Sequence, residues 1–182
     1  YIFMSKDKGK SWESISNNLP ERGSVYSLEE DHEKEGLIFC GTEFGAFFSP
    51  DFGQRWKKLS NGLPTIAVRD IAIQRDMNDL ILGTFGRGFY VLDDYSSLRD
   101  IENKKISEKA IIFPTREAIM WEKASPLGLP GKSFQGDNFY TGDNLDPVAM
   151  INYYYDENYL SLRDRRKQKE KRLRSYNTRT FR

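Results

Sequence analysis

The sequence of 182 residues has very few of the side chains that bind metals or form disulfides: one cysteine, Cys40, and one histidine, His32. A single cysteine cannot form an internal disulfide, and its apolar surroundings predict a small buried residue. We find no metal-ligand spacing and no glycine-rich phosphate loop. Neither a metal nor another cofactor is therefore expected. His32 lies among charged residues in a predicted turn, so we expect it to be solvated rather than catalytic.

The chain also lacks an excess of charge and a long hydrophobic run. Its 28 Lys and Arg residues balance 27 Asp and Glu residues, which leaves a formal net charge of +1. Such a balance gives no argument for a nucleic-acid partner. No stretch approaches the roughly 18 apolar residues that a membrane helix needs. We therefore expect neither nucleic acid as a partner nor a membrane span.

What the sequence does contain is one eight-residue pattern in two copies, which we call the first and the second octet. Residues 5–12 and 49–56 both read Ser-x-Asp-x-Gly-x-x-Trp, and the copies are 44 positions apart. At the same interval, Asn-Leu-Pro at 18–20 returns as Gly-Leu-Pro at 62–64. A period of this length indicates a repeat architecture.

Each residue type that the two octets share suits a hairpin turn. Asp and Ser side chains accept hydrogen bonds from nearby backbone N–H groups, and Gly adopts backbone conformations that a Cβ disfavours. The Trp begins the returning strand and can bury a large ring. We therefore assign structural roles to Ser5, Asp7, Gly9, Trp12, Ser49, Asp51, Gly53 and Trp56. The alternative, that Asp7 and Asp51 are catalytic, is disfavoured because a residue repeated in every unit rarely performs unit-specific chemistry.

The strand pattern predicts an all-β fold. Four short strands per roughly 43 residues match one blade of a β-propeller. Residues 89–94 align with 47–52 but are not followed by the Gly and Trp of an octet. We interpret residues 1–98 as the last roughly two blades of a propeller. Two blades cannot close a ring, so the remaining blades are expected from residues before Tyr1.

The rest of the chain is predicted to contain three further segments. Residues 99–109 are polar and read as a linker. Residues 110–157 resemble the start of a β-sandwich-like domain with a long Gly-, Asn- and Pro-rich loop. Residues 158–182 form a charged helical segment, which could be an arm for an anionic surface or a solvated helix. We favour the solvated helix, because no aromatic residues interleave its charges.

The octet carries a resemblance to the Asp-box, or bacterial neuraminidase repeat, of sialidases, xyloglucan hydrolases and sortilin-type receptors. The text from Leu37 to Trp56 and from Gly86 to Asp94 is similar to the last propeller blades of bacterial sortilin N-terminal domain and glycosyl hydrolase-like proteins. The resemblance implies a module that binds protein or glycan ligands within a larger secreted, periplasmic or outer-envelope protein. It leaves open a glycoside hydrolase of sialidase or xyloglucanase type, and a purely structural segment.

Successive strands of a blade are expected to be antiparallel, so the octets lie at one end of the sheets and the connections between second and third strands lie at the other. We expect any working surface at the end opposite the octets. The connections there carry the candidate ligand-binding residues Phe44, Arg69, Phe85 and Arg87. Arg can bind a carboxylate of a glycan or peptide in bidentate fashion, and aromatic rings stack on apolar faces. If the chain is a hydrolase, Glu43 and Asp70 are the candidates for the two carboxylates of such a site. The structural alternatives are an Arg87–Asp70 ion pair and a turn capped by Glu43.

Overall fold

A computed structural model describes residues 1–101, 110–118, 120–122, 147–155 and 161–179, with the side chains of the last helix described as far as residue 171. The contacts between residues divide the chain into two compact units, Tyr1–Lys109 and Ala110–Arg182. The described strands pair only in antiparallel sheets, and helices are few. The all-β class that the sequence predicts is therefore observed.

The first unit contains three antiparallel sheets whose strands follow one another in chain order. The first sheet pairs β1 (Phe3–Met4) with β2 (Glu13–Ser14). The second sheet consists of β3 (Val25–Glu30), β4 (Ile38–Thr42), β5 (Gly45–Ser49) and β6 (Lys57–Leu59). The third sheet consists of β7 (Val68–Gln74), β8 (Asp79–Thr84) and β9 (Phe89–Leu92).

Two hydrophobic clusters hold these sheets together. One cluster joins the first sheet to the second through Ile2, Ile15, Cys40, Phe47 and Trp56. The other joins the second sheet to the third and includes Phe39, Phe48, Val68, Ile71 and Leu80. All five residues of β5 are buried, because β5 contributes one face to each cluster. Burial raises the pKa of the Cys40 thiol to about 12, so this residue serves as a small apolar side chain.

The repeat changes at the end of the third sheet. Phe89 pairs with Gly83, and Ala46 pairs with Gly41, so Phe89 is the structural equivalent of Ala46. The alignment of residues 89–94 with 47–52 is therefore one residue out. Asp94 therefore takes the place of Asp51. Instead of turning back into a fourth strand, the chain continues as a 3-10 helix, Tyr95–Asp100, in which the Asp94 side chain accepts a hydrogen bond from the Ser96 N–H.

This 3-10 helix is anchored to the turn between β3 and β4 by a buried polar cluster. The Arg99 guanidinium donates to both carboxylate oxygens of Asp31, at 2.8 and 2.9 Å, and the Tyr95 hydroxyl donates to the same carboxylate at 2.5 Å. Burial opposes ionisation of Asp31, but the bonds from Arg99 and Tyr95 outweigh it and hold the Asp31 pKa below its usual value. Arg99, which the sequence places in a linker, is thus bound to the first unit.

The second unit has a small sheet and one helix in its described part. β10 (Ala110–Ile112) pairs with β11 (Tyr153–Tyr155) in an antiparallel sheet. The helix α1 spans Leu162–Arg179, and Ser161 caps it by accepting from the Asp164 N–H. Most of the predicted long loop lies outside the described residues, and the β-sandwich remains a prediction. Across the described residues, no helix has the length and apolar character needed to cross a membrane.

Candidate functional site

Each octet lies between two antiparallel strands, as predicted, and its side chains are used by its own turn. The two residues after each Asp have positive φ angles, 61° and 86° in the first octet and 58° and 79° in the second. In the second octet, Ser49 Oγ accepts from the Gly53 N–H at 2.8 Å, and Asp51 Oδ1 accepts from the Arg55 N–H at 2.9 Å. The turn therefore satisfies its own backbone donors.

The first octet repeats this arrangement. Ser5 Oγ accepts from the Gly9 N–H at 2.6 Å, and Asp7 Oδ1 accepts from the Ser11 N–H at 2.8 Å. The bonds from the Ser11 hydroxyl and N–H lower the pKa of Asp7 to about 2. A carboxylate held ionised by its own turn is poorly suited to act as a general acid. These contacts support the structural assignment of both octets.

The second octet also connects two sheets. The Trp56 indole N–H donates to the Ile15 carbonyl at 2.7 Å, and the ring is only 3% exposed. The Asn18 side chain accepts from the Trp56 N–H and donates to the Trp56 carbonyl, at 2.7 and 2.8 Å. Trp12 holds the same position in the first octet but is 64% exposed. The burial of the octet tryptophan thus depends on the sheet that precedes it.

The opposite end of the second and third sheets is formed by the β4–β5 loop, the β8–β9 loop and the starts of β3 and β7; we call it the Arg69 rim. The two loops are held in the same way. The Glu43 N–H donates to the Ser24 carbonyl at 3.0 Å, and the Phe85 N–H donates to the Ala67 carbonyl at 2.9 Å. Each loop is thereby tied to the segment that enters the first strand of its own sheet, β3 or β7.

A bulge at the start of the first strand of each sheet, β3 and β7, presents one side chain at this rim. In β3, Val25 pairs with Thr42 and Ser27 with Gly41, which leaves Tyr26 as the extra residue. In β7, Val68 pairs with Thr84 and Asp70 with Gly83, which leaves Arg69 as the extra residue. Bulges redirect a side chain out of the ladder and are frequent beside functional sites. Tyr26 and Arg69 are thus displayed by the same device in two adjacent sheets.

The Arg69 guanidinium contacts two aromatic rings. Its central carbon lies 3.9 Å from the centroid of the Tyr26 ring and 5.2 Å from that of Phe85. Stacking uses the faces of a guanidinium and leaves its N–H donors in the plane of the group. Within residues 1–101, no hydrogen bond or ion pair engages those donors. Arg69 is exposed, and Phe85 is 68% exposed. The arrangement is an accessible, positioned cation beside apolar rings.

The other predicted rim residues have separate surroundings. Phe44 packs on Gly23, where an added Cβ would lie 2.5 Å from the ring. Arg87 is exposed, and no ion pair joins it to Asp70 in the first 101 residues. The predicted alternative of an Arg87–Asp70 pair is therefore wrong. Asp70 Oδ1 accepts from the Ile71 N–H at 3.0 Å.

Glu43 is exposed, and it is Thr42 rather than Glu43 that stabilises the β4–β5 loop with its side chain. Thr42 Oγ1 donates to the Gly45 carbonyl at 2.9 Å and accepts from the Phe44 N–H at 3.1 Å. Thr84 Oγ1 donates to the Gly88 carbonyl at 2.7 Å in the equivalent loop. A cap by Glu43 is therefore not what holds this turn. Nothing in the described contacts brings Glu43 and Asp70 together as a pair of carboxylates.

The structure thus unites Arg69 with Phe85 and adds Tyr26, which the sequence reasoning missed. A signal for Tyr26 existed: it lies 43 positions before Arg69, at the equivalent point of the repeat. The chain matches no family model, no curated protein and no solved structure. In the part of the chain that the structure describes, no three His, Cys, Asp or Glu side chains gather as metal ligands.

Proposed function

We propose that residues 1–98 belong to a β-propeller and that the Arg69 rim binds a carboxylate-bearing peptide or glycan. The observation that carries the proposal is the contact of the exposed Arg69 guanidinium with the rings of Tyr26 and Phe85. The consecutive antiparallel sheets, packed face to face through two clusters, support the propeller. The resemblance of the octets to Asp-boxes supports a sortilin-like or glycosyl hydrolase-like protein of the secreted or envelope class.

The chemistry of the site favours a carboxylate. A guanidinium offers paired N–H donors in one plane, which match the two oxygens of a carboxylate. The rings of Tyr26 and Phe85 limit the rotation of Arg69, so less side-chain entropy is lost when a ligand binds. The exposed face of Phe85 can stack on an apolar side chain or on a sugar ring. Such a site recognises a charged end and the apolar group beside it.

The test uses two pairs of probes that differ only in the carboxylate. One pair is N-acetyl-Leu-Phe with a free carboxyl terminus and the same peptide as an amide; the other is glucuronic acid and glucose. We expect the carboxylate member of at least one pair to shift the NMR signals of Tyr26 and Phe85. Hydrogen bonds to a charged group contribute about 1.5–3 kcal/mol, so Arg69→Gln should weaken binding about tenfold or more.

Arg75→Gln is the matched control, because Arg75 is exposed in the turn at the other end of β7. Binding should be unchanged in this variant. Equal binding of the carboxylate and neutral probes, or equal losses in the two Arg variants, would contradict the proposal. Sugar release from a polysaccharide that is lost in Glu43→Gln would instead favour the hydrolase.

A further inference from the structure

The third sheet ends at a strand edge of β9, whereas in the second sheet the equivalent edge is covered by a further strand. In the second sheet, β6 pairs with the outer edge of β5, with Ala46 opposite Leu59 and Phe48 opposite Lys57. In the third sheet, β9 pairs with β8, and no described strand pairs with its other edge. The chain leaves β9 toward the β3–β4 turn, where Arg99 binds Asp31. A strand edge with unpaired N–H and C=O groups is a template for adding another strand.

A groove of about 380 Å³ lies beside this edge. It is the counterpart of the site that Trp56 occupies in the preceding repeat. Trp56 packs in a cluster with Ile15, Leu19, Cys40 and Phe47. Their equivalents in the next repeat all line the groove: Leu59, Leu63, Leu82 and Tyr90. Leu59 and Leu63 follow Ile15 and Leu19 by 44 positions, and Leu82 pairs with Tyr90 as Cys40 pairs with Phe47.

The groove is also continuous with an interface that the chain already uses. Leu59, Leu63 and Tyr90 pack against the cluster that joins the second sheet to the third. A ring placed in the groove would extend that cluster, just as Trp56 extends the cluster between the first and second sheets. The Leu59 carbonyl corresponds to the Ile15 carbonyl, which accepts the Trp56 indole N–H. The repeat thus supplies both the apolar walls and the polar partner for an indole.

From this correspondence we propose that β9 binds an extended segment of another polypeptide that contains the sequence Trp-x-x-Leu. The segment adds to the edge of β9 as an antiparallel strand, and its indole enters the groove lined by Leu59 and Tyr90. Backbone hydrogen bonds to β9 provide affinity, and the indole provides selectivity. The template is residues 56–59 of this chain, which make the same contacts with β5. The inference is independent of the carboxylate site at the Arg69 rim.

The probe is a fluorescein-labelled peptide with the sequence of residues 54–60, Gln-Arg-Trp-Lys-Lys-Leu-Ser. Its binding to the full chain is followed by fluorescence anisotropy. The matched control peptide replaces Trp by Ala and has the same charge. We expect the control to bind about tenfold more weakly or worse, because the ring supplies most of the buried apolar area. Hydrogen exchange should slow, when the Trp peptide is added, at the β9 amides that point away from β8.

A variant pair in the protein tests the position of the site. Tyr90→Ala removes a wall of the groove, whereas Phe89→Ala truncates the neighbouring exposed ring, which does not line it. Only Tyr90→Ala should weaken binding of the Trp peptide. Circular dichroism verifies that both variants fold. If Tyr90→Ala does not fold, the comparison of the Trp and Ala peptides on the unaltered chain still tests the proposal. Equal binding of the Trp and Ala peptides would overturn the proposal. Protection, without peptide, of the β9 amides that point away from β8 would also overturn it.

Discussion

The tryptophans of the two octets provide an internal comparison for the role of the octet. Trp12 and Trp56 end the same eight-residue pattern and follow the same type of turn, yet they are 64% and 3% exposed. If the octet tryptophan stabilises the fold by docking on the preceding sheet, then only Trp56 contributes in this chain. Replacing each residue by alanine should therefore have very different effects on the free energy of unfolding.

The expected magnitudes follow from the contacts. Replacing a buried aromatic residue by alanine costs about 3–5 kcal/mol. The Ile15 carbonyl would also lose its indole donor at 2.7 Å, which adds about 1 kcal/mol or more if water cannot replace it. Exposed substitutions usually change stability by less than about 0.5 kcal/mol, and this is the value expected for Trp12→Ala. Trp56→Phe keeps most of the apolar volume but removes the donor, so it should cost about 1–2 kcal/mol.

The assay is urea unfolding of the full chain followed by far-ultraviolet circular dichroism, which does not depend on the altered fluorophore. Trp56→Ala should lower the midpoint strongly, and Trp56→Phe should lie between it and the unaltered protein. If Trp56→Ala does not fold, Trp56→Phe still supplies the comparison. Equal losses in Trp12→Ala and Trp56→Ala would refute the reasoning, because the turn alone would then account for the role of the octet.

Two further predictions concern the glycines and the buried carboxylate. Gly53→Ala combines a φ of 79° with a new Cβ about 2.7 Å from Ile15, whereas Gly62→Ala has a φ of 77° and open space. Gly62→Ala should cost about 1–2 kcal/mol of backbone strain, and Gly53→Ala should cost clearly more because of the added clash. Similar losses of unfolding free energy for the two variants in urea would disprove the close contact. The pKa of Asp31 is depressed in the folded state, so the unfolded state binds more protons there and stability should fall as pH drops below about 4. In Asp31→Asn this loss of stability at low pH should be smaller, although the depressed pKa of Asp7 still contributes to it. If the stability of Asp31→Asn changed between pH 6 and 2 just as that of the unaltered protein does, the Asp31–Arg99 cluster would not be the source of the loss.

The local structure of the first unit could be predicted from the sequence because turn chemistry is local. Ser, Asp and Gly at fixed offsets satisfy the backbone donors of their own turn, so the pattern around Asp51 predicts a hairpin without knowledge of the rest of the chain. The period of 44 residues then places equivalent strands in equivalent sheets. The alignment of residues 89–94 was one residue out, because the loop before Phe89 is one residue longer than its counterpart before Ala46.

The candidate site could be predicted only in part, because its contacts join residues that are distant in the sequence. Arg69 and Phe85 were found from strand parity, but Tyr26 reaches Arg69 only through the packing of β3 beside β7 and the bulge in each strand. The Asp31–Arg99 pair spans 68 positions and has no local signature. The exposure of Trp12 was also not predicted, since a repeated sequence does not reveal which copy has a neighbour to pack against.

The proposed division of roles is that the second octet holds the first two sheets together while the Arg69 rim binds the carboxylate ligand. It is tested most directly by measuring unfolding free energy and affinity for the carboxylate probe in the same two variants, Asp51→Ala and Arg69→Gln. Asp51→Ala should destabilise by about 1–3 kcal/mol, because turn N–H groups lose their acceptor, with unchanged affinity per folded molecule. Arg69→Gln should lose affinity about tenfold or more with a much smaller change in stability. Loss of affinity in folded Asp51→Ala, or full affinity in Arg69→Gln, would contradict this division of roles.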